Sequence, residues 1–478
     1  MNLGDSAAGA GLRGEPLAQV FARQRALRDR APGLDYGQRI AALEALARLL
    51  REDGEALAAA IDRDFRGRAR EETQLLEVFP ALGAIRHARR HLARWMRARR
   101  VSTGFWFLPG RSRVLPQPLG VVGIVVPWNY PLYLAVAPAV SALAAGNRVM
   151  IKMSESAPAL GELFAAAVAK RLQPDVLAVF NGGVELAREF TALPFDHLLF
   201  TGSTAVGRDV MRAAAANLTP VTLELGGKSP AIVGRGFPLE EAARRIAFGK
   251  CLNAGQTCIA PDYALVPEER MEAFAAAARA AVATMYPTLR DNPDFSAIVD
   301  ERHRARLTGY LDEARARGAR VIEMKPEAED LSAGPKMAPT LVIGAPDDAK
   351  VLREEIFGPI LPLVPYRDLD DAIAYVNARP RPLALYVFDH DTRAVDAVLA
   401  RTVSGGVTVN ETFLHAGQEE LPFGGVGASG MGEYHGRAGF DTFSKRKAVF
   451  RQSRLNGLDL LRPPYGKRFR AIARLLTR

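Results

Sequence analysis

Both cysteines of this 478-residue chain, Cys251 and Cys258, fall within KCLNAGQTCIAPDY, residues 250–263. A pair seven residues apart fits a metal clip, a disulfide, two core fillers, or a nucleophile beside a bystander. With no histidine nearby, the spacing makes a poor zinc site, and no metal is expected there. A cysteine taken alone is more often a small buried apolar residue than a nucleophile. Two glycine-rich turns could do a different chemistry, the cradling of phosphate. GVGASG, residues 425–430, fits G-x-G-x-x-G, but it follows LPFG rather than a buried strand, and the glycine-rich GMGEYHGRAG after it opens no stable helix. We read it as a loop closing a domain. LLFTGSTAVGRDVM is the better candidate. An apolar strand there runs into Gly202 and Ser203, and Gly207 follows within the first turns of a helix whose N-terminus can face a phosphate.

These residues need elements to hold them. Residues 16–100 read as helical, with IAALEALARLLREDGEALAAAI repeating near a 3.6 period and Gly54 breaking it in two. STGFWFLPGRSRVLPQP reads as an extended hairpin. From Gly120 strands and helices alternate: GVVGIVVP, an apolar helix, NRVMIKMS, a second helix, VLAVFN, then HLLFTGS and AVGRDVMRAAAAN. That alternation predicts a parallel sheet covered by helices on both faces. A second α/β region follows. VTLELGGKSPAIV leads into a helix, KCLNAGQTCIAPDYALVP into a strand, and ILPLVPY, ALYVF and SGGVTVN read as strands. Residues 114–147 carry no charge, which is long enough to span a bilayer. Five prolines in the stretch would leave backbone groups unpaired in lipid, so it reads as a buried strand, a loop and a buried helix.

Four motifs stand in order: PWNYP (127–131), LELGGKSP (223–230), GQTCIAPDY (255–263) and EEIFGPILP (354–362). With FTGSTAVG, the set resembles the aldehyde dehydrogenase superfamily over about residues 20–450. GQTCIAPDY and LPFGGVGASGMGEYHG look like its class 3 branch; IKMSES and NETFLHAGQEELPFGG look like bacterial coniferyl aldehyde dehydrogenases. The resemblance makes Cys258 the nucleophile, whose thiolate adds to a carbonyl carbon so that hydride can leave and a thioester forms. Cys251 lies outside the motif and is expected to pack beside it. Glu224 matches the general base, and its neighbours Leu223, Leu225 and Gly226 suggest a desolvated carboxyl raised toward the working range. Asn129 would donate its amide N–H to the oxyanion, with the Cys258 backbone N–H as second donor. Lys152 and Glu155, in IKMSE, match the residues that hold the adenosine ribose. A carboxylate there favours ribose hydroxyls and makes NAD the first choice, with NADP the alternative. Met153 stands where many relatives have proline. Glu355 and Phe357 match residues on the nicotinamide ribose and ring.

The resemblance implies an α/β fold with a dinucleotide-binding Rossmann-type domain (16–100 and 118–225) and a catalytic α/β domain (226–424). A small β hairpin for oligomerisation (101–117 and 438–452) and a basic tail (453–478) complete it, in a homodimer. The expected substrate is an aromatic or cinnamyl aldehyde such as coniferyl aldehyde, with Trp128, Tyr130 and Tyr133 near the oxyanion asparagine to stack on its ring. The rivals are a coenzyme A-acylating enzyme, a non-enzymatic relative, and a membrane-attached fatty aldehyde enzyme. Retention of Glu224 argues against the first, and intact Cys258, Glu224 and Asn129 against the second. Bulk properties agree. The chain is 48% hydrophobic and 24% charged, a globular composition too long for one core. MNLGDSAAGAGLRGEP has no apolar leader segment, and two cysteines suit a reducing compartment, so a cytoplasmic setting is expected. The net charge of +10 sits partly in the tail and in IRHARRHLARWMRARR. Both read as solvated helix faces, without nucleic-acid signatures or stable membrane insertion.

Overall fold

Three sheets organise the computed structural model, which describes residues 15–31, 33–457 and 461–476. Most of the residues behind the leader reading, 1–14, lie outside the described residues, as do 458–460 and 477–478 of the tail. The first sheet has six strands, in the order Gly430–Met431, Val221–Glu224, His197–Thr201, Val121–Val125, Arg148–Lys152 and Leu177–Phe180. All pairings are parallel except that of Gly430–Met431. The chain starts this sheet in the middle, builds to one side, then returns to build the other. The reversal between Val121–Val125 and His197–Thr201 is a topological switch point, where open α/β sheets bind ligands beyond their strand ends.

Near-continuous apolar runs form these strands because both faces are covered. Val122, Ile124, Val149, Ile151 and Leu199 pack into one core, while Val121, Met150, Leu198 and Phe200 pack into a second on the other face. The strand period of two thus feeds two cores from one strand. The uncharged stretch 114–147 becomes the end of strand Arg111–Pro118, strand Val121–Val125, and helix Tyr133–Ala145. That helix is buried on all sides beyond its first residue. Among the described residues no helix is long and apolar enough to cross a membrane.

The second sheet has seven strands, in the order Arg320–Glu323, Thr340–Ile343, Ile360–Tyr366, Tyr263–Pro267, Pro230–Val233, Ala384–Phe388 and Gly406–Val409. Only Arg320–Glu323 runs antiparallel. VTLELGGKSPAIV is therefore two strands in two sheets. The chain leaves the first sheet at Glu224 and enters the second at Pro230, across glycines that allow the turn; Gly227 has φ +155. KCLNAGQTCIAPDY leads into a strand, as expected. Lys250 and Cys251 close helix Leu239–Cys251, and the strand begins only at Tyr263. A third, antiparallel sheet joins Arg99–Val101, Arg111–Pro118 and Ser444–Arg451. Residues 436–442, expected in part as strand, form a short helix instead, with Gly439 seated against Ser141.

The break expected near Gly54 is present: helix Tyr36–Glu52 opens on an Asp35–Gln38 capping box, and a new helix, Gly54–Phe65, follows Asp53. In the tail, Lys467–Leu476 is helical, with Phe469, Ile472 and Ala473 half-buried and Tyr465 and Leu475 exposed.

Candidate active site

Cys258 sits one loop beyond the helix Leu239–Cys251. Between them, Asn253, Ala254 and Gly255 take left-handed backbone (φ +50, +50 and +72). Only Gly255 does so without strain, and strain on the other two is tolerated where surroundings over-determine the turn. The surroundings here are explicit. Gln256 donates Nε2 to the carbonyls of Asn253 and Ala297, each at 2.9 Å, and accepts from Val299 N–H at 3.0 Å. Asn253 donates Nδ2 to the Asn129 and Gln256 carbonyls, both at 3.1 Å. Asn129, 3% exposed, donates its own Nδ2 to the Gln256 carbonyl at 3.1 Å. The asparagine beyond the first sheet's central strand is thus tied to the turn that carries Cys258. Beyond the cysteine, the Tyr386 hydroxyl donates to the Ile259 carbonyl at 2.5 Å.

Both cysteines are free, so no disulfide joins them. Cys251 is fully buried and Cys258 half-buried. Burial first, then the Glu355 and Glu224 carboxyls, push the Cys258 thiol up to about 12. Its own backbone N–H and that of Ile259 pull the other way. Near neutral pH such a thiol needs a base to become nucleophilic.

Glu224 supplies a carboxyl in the right setting. It ends strand Val221–Glu224, is 3% exposed, and neither carboxyl oxygen has a hydrogen-bond partner among the described residues. Burial, with a further push from Glu433, raises its pKa well above the usual carboxylate range. A buried carboxyl with no partner costs free energy that packing alone gives no reason to keep. The GVGASG segment, rejected above as a phosphate loop, lies along the same strand. Gly430 pairs with Glu224, and a Cβ on Gly430 would stand 2.2 Å from the Leu223 carbonyl oxygen. Its glycines serve close backbone approach.

The sites matched to a dinucleotide gather at the strand ends of the first sheet. Lys152 closes strand Arg148–Lys152, is 1% exposed, donates to the Met153 carbonyl at 2.6 Å, and lies 3.7 Å from Glu155. Burial lowers its pKa, and Glu155 opposes the shift. Gly202 follows strand His197–Thr201 and donates its N–H to the Glu224 carbonyl at 3.0 Å. Ser203 caps helix Thr204–Ala215 by accepting from Val206 N–H at 3.4 Å. A Cβ on Gly207 would lie 2.7 Å from Leu225 Cδ2, so this glycine lets the helix approach the end of strand Val221–Glu224.

Glu355 and Phe357 arrive from the second sheet's side. The Glu355 carboxyl presses on Gly226, where an added Cβ would meet it at 2.1 Å. Burial, then the charge of Asp262, raises Glu355 to about 7, and its Oε1 has no partner among the described residues. Phe357 has φ +50, a strained backbone for a bulky residue, and stacks edge-on against Trp128 with centroids 5.4 Å apart. The residues matched to the cofactor and those matched to catalysis thus meet on one seam.

Of the three aromatics expected to line the aldehyde site, two are committed elsewhere. Trp128 also packs on Phe65 and His303, and the Tyr130 hydroxyl pairs with Thr257 at 2.6 Å. Tyr133 remains half-buried, with its hydroxyl 3.0 Å from His435 Nε2. The sequence reading missed the support beneath the site. Arg68, 3% exposed, donates to the Asn129 carbonyl at 2.9 Å and lies 3.6 and 3.7 Å from Glu72 and Glu77. Glu72 accepts from Asn253 N–H at 3.0 Å, and Glu77 from Leu132 N–H at 2.8 Å. The available signal was charge on the helix faces of residues 68–77, but nothing local distinguishes a buried arginine from a solvated one.

The comparisons with known proteins agree with this geometry. The family model described as aldehyde dehydrogenase family matches residues 20–449. The "Probable coniferyl aldehyde dehydrogenase" of Pseudomonas aeruginosa is 53% identical over 451 residues, covering 94% of each chain. The substrate-bound structure of Staphylococcus aureus AldH superposes with TM-score 0.90 at 35% identity, covering 97% of this chain and 100% of the other. A Mycobacterium tuberculosis aldehyde dehydrogenase complexed with NAD+ superposes with TM-score 0.82 at 29% identity, covering 93% and 95%.

Proposed function

The chain belongs to the aldehyde dehydrogenase family, and from that premise we propose that it oxidises an aryl or cinnamyl aldehyde of the coniferyl class to its carboxylic acid. The hydride acceptor in this reading is NAD, with NADP the alternative. The observation that carries it is the meeting of a half-buried Cys258 thiol with the unpartnered, buried Glu224 carboxyl at the crossing between two sheets.

The strand-end residues fit a dinucleotide. The N-terminus of helix Thr204–Ala215, opened by Gly202 and Ser203, suits a pyrophosphate. Lys152 with Glu155 suits ribose hydroxyls, and exposed Val184 and Val206, on neighbouring helices, offer apolar surface to a base. Glu355 has an orphaned carboxyl oxygen for a second ribose, and Phe357 borders the ring position. When bound, the cofactor supplies the two-electron acceptor for the hydride that leaves the substrate carbon.

The protein's own groups do the rest. The Cys258 thiol loses its proton to a base, and the thiolate forms the carbon–sulfur bond while the carbonyl π electrons move to oxygen. Asn129 Nδ2 has two hydrogens, of which one binds the Gln256 carbonyl and the other is available to that oxygen. After hydride loss the carbon is a Cys258 thioester. Glu224 then takes a proton from water, water's oxygen attacks the acyl carbon, and the carbon–sulfur bond breaks to release the acid and return the thiol.

The coniferyl assignment rests on similarity to the Pseudomonas aeruginosa relative. A homodimer is supported by the class 3 resemblance and by the exposed apolar run 105–108, which connects two strands of the third sheet. A cytoplasmic setting is supported by the two free thiols. A substrate panel tests the assignment. Coniferyl aldehyde is expected to exceed hexanal and longer alkanals by roughly tenfold or more in kcat/KM, about 1.4 kcal/mol of transition-state binding. The reverse ranking would overturn it.

A further inference from the structure

The basic stretch 85–100, which reads in sequence as a solvated face without metal ligands, presents a different face in the fold. His87 and His91 lie four residues apart on helix Phe79–Trp95, hence one above the other. Their rings stand 4.3 Å apart between centroids. The loop ahead of Pro422 brings Glu420 to the same place, with Oε1 3.5 Å from His87 Nε2. One ligand-capable atom from each of the three lies within 4.8 Å of the other two.

Three further observations point the cluster at a ligand. The His91 Nδ1 lies 3.0 Å from the His87 carbonyl oxygen. A proton on Nδ1 satisfies that carbonyl and leaves the Nε2 lone pair bare, as the outer hydrogen bond of a metal-bound histidine does. His87 Nε2 is a buried atom with no hydrogen-bond partner among the described residues. Beside it, Gly436 lets the chain pass close to both, since a Cβ there would stand 2.0 Å from the Glu419 carbonyl oxygen and 3.3 Å from that nitrogen.

We propose that Nε2 of His87, Nε2 of His91 and the Glu420 carboxylate form a site for one divalent transition-metal ion of the zinc class, with water as fourth ligand. Zinc–nitrogen and zinc–oxygen bonds near 2.0–2.1 Å place tetrahedral ligands about 3.3 Å apart. The His87–Glu420 separation of 3.5 Å is already near that spacing, and no pair exceeds 4.8 Å. One carboxylate and two neutral imidazoles give the site a single negative charge, which offsets repulsion from Arg90 and Arg94. Occupancy would clip the 419–420 loop to helix Phe79–Trp95. Next to it stands Gly436, which follows the His435 that holds Tyr133. The oxidation described above does not require the ion.

The test uses the full chain carrying Cys258→Ala, which removes the competing soft thiol. After chelator treatment, titration calorimetry with zinc chloride is expected to show one equivalent bound. His91→Asn should weaken binding beyond the roughly 10–100-fold that even an outer partner of a metal site costs. Glu420→Gln, on an exposed side chain that folding does not need, should weaken it too, and His390→Asn should leave it unchanged. Cobalt(II) should give the strong visible d–d absorption of a tetrahedral site without a thiolate charge-transfer band. No binding at all, or affinity unchanged in both His91→Asn and Glu420→Gln, would overturn the proposal.

Discussion

Glu355 shows at the scale of one residue how function and stability pull apart. Folding raises its carboxyl from the ordinary 4.5 to about 7, chiefly by burial. The folded state therefore holds this proton more tightly than the unfolded one. Its contribution to stability is full below about pH 4.5 and is lost as pH rises through about 7. Glu355→Gln keeps the shape and cannot ionise. The variant is expected to melt close to wild type at pH 5 and above it at pH 8, while its affinity for NAD falls. Melting curves across that range, paired with cofactor titration, check both halves. A variant that loses NAD affinity with no gain in melting temperature at pH 8 would show that the charge is not strained in the resting fold.

At the scale of elements, the Cys258 turn and the Asn129 loop belong to different sheets and are locked together from below by Arg68. Its guanidinium lies 5.0 and 4.9 Å from the Phe65 and Tyr130 ring centroids while it binds the Asn129 carbonyl and faces two glutamates. Removing one member of a buried ion network leaves the others uncompensated, at a cost of about 3–5 kcal/mol. Arg68→Met is therefore expected to lower the melting temperature by several degrees and to reduce kcat more than it raises the KM for NAD, because the strand-end cofactor residues do not touch Arg68. Steady-state kinetics alongside calorimetry separates the two. This support was not legible in the sequence, since nothing marks Arg68 as the buried one of the three arginines in RGRAREET. Much else was. The parallel strands of the two α/β regions and the strand–glycine–helix signal at Gly202 followed from period, helix signals and position. The reading departed from the structure at 438–442, where helix replaced expected strand, and it did not show how the chain turns at 225–229 and 253–255. Those two turns rest on tertiary contacts, the first with Glu355 and the second with Glu72, that no local pattern encodes.

At the scale of the molecule, one sheet gathers residues suited to a dinucleotide, and the other contributes the Cys258 loop, Glu355 and Phe357. The Glu224 strand end joins them, so chemistry is confined to the seam. The connection between strands Arg99–Val101 and Arg111–Pro118 of the third sheet exposes Phe105, Trp106, Phe107 and Leu108, with Phe105 77% accessible. A contiguous apolar run of this kind marks an association surface. Phe105→Ser with Trp106→Ser is expected to shift the protein from dimer to monomer in light scattering with little change in melting temperature; an unchanged mass would remove this surface from the interface. The central claim, that oxidation passes through an acyl group on Cys258 released by Glu224, has a direct test. Glu224→Gln is mixed with coniferyl aldehyde and NAD, quenched in acid within the first turnover, and measured by intact-protein and peptide mass. The account predicts about one acyl group per chain, carried by the Cys258 peptide, with one equivalent of NADH formed, and the same result when Cys251 is replaced by alanine. Full wild-type turnover with no acyl group trapped on Cys258 would contradict it.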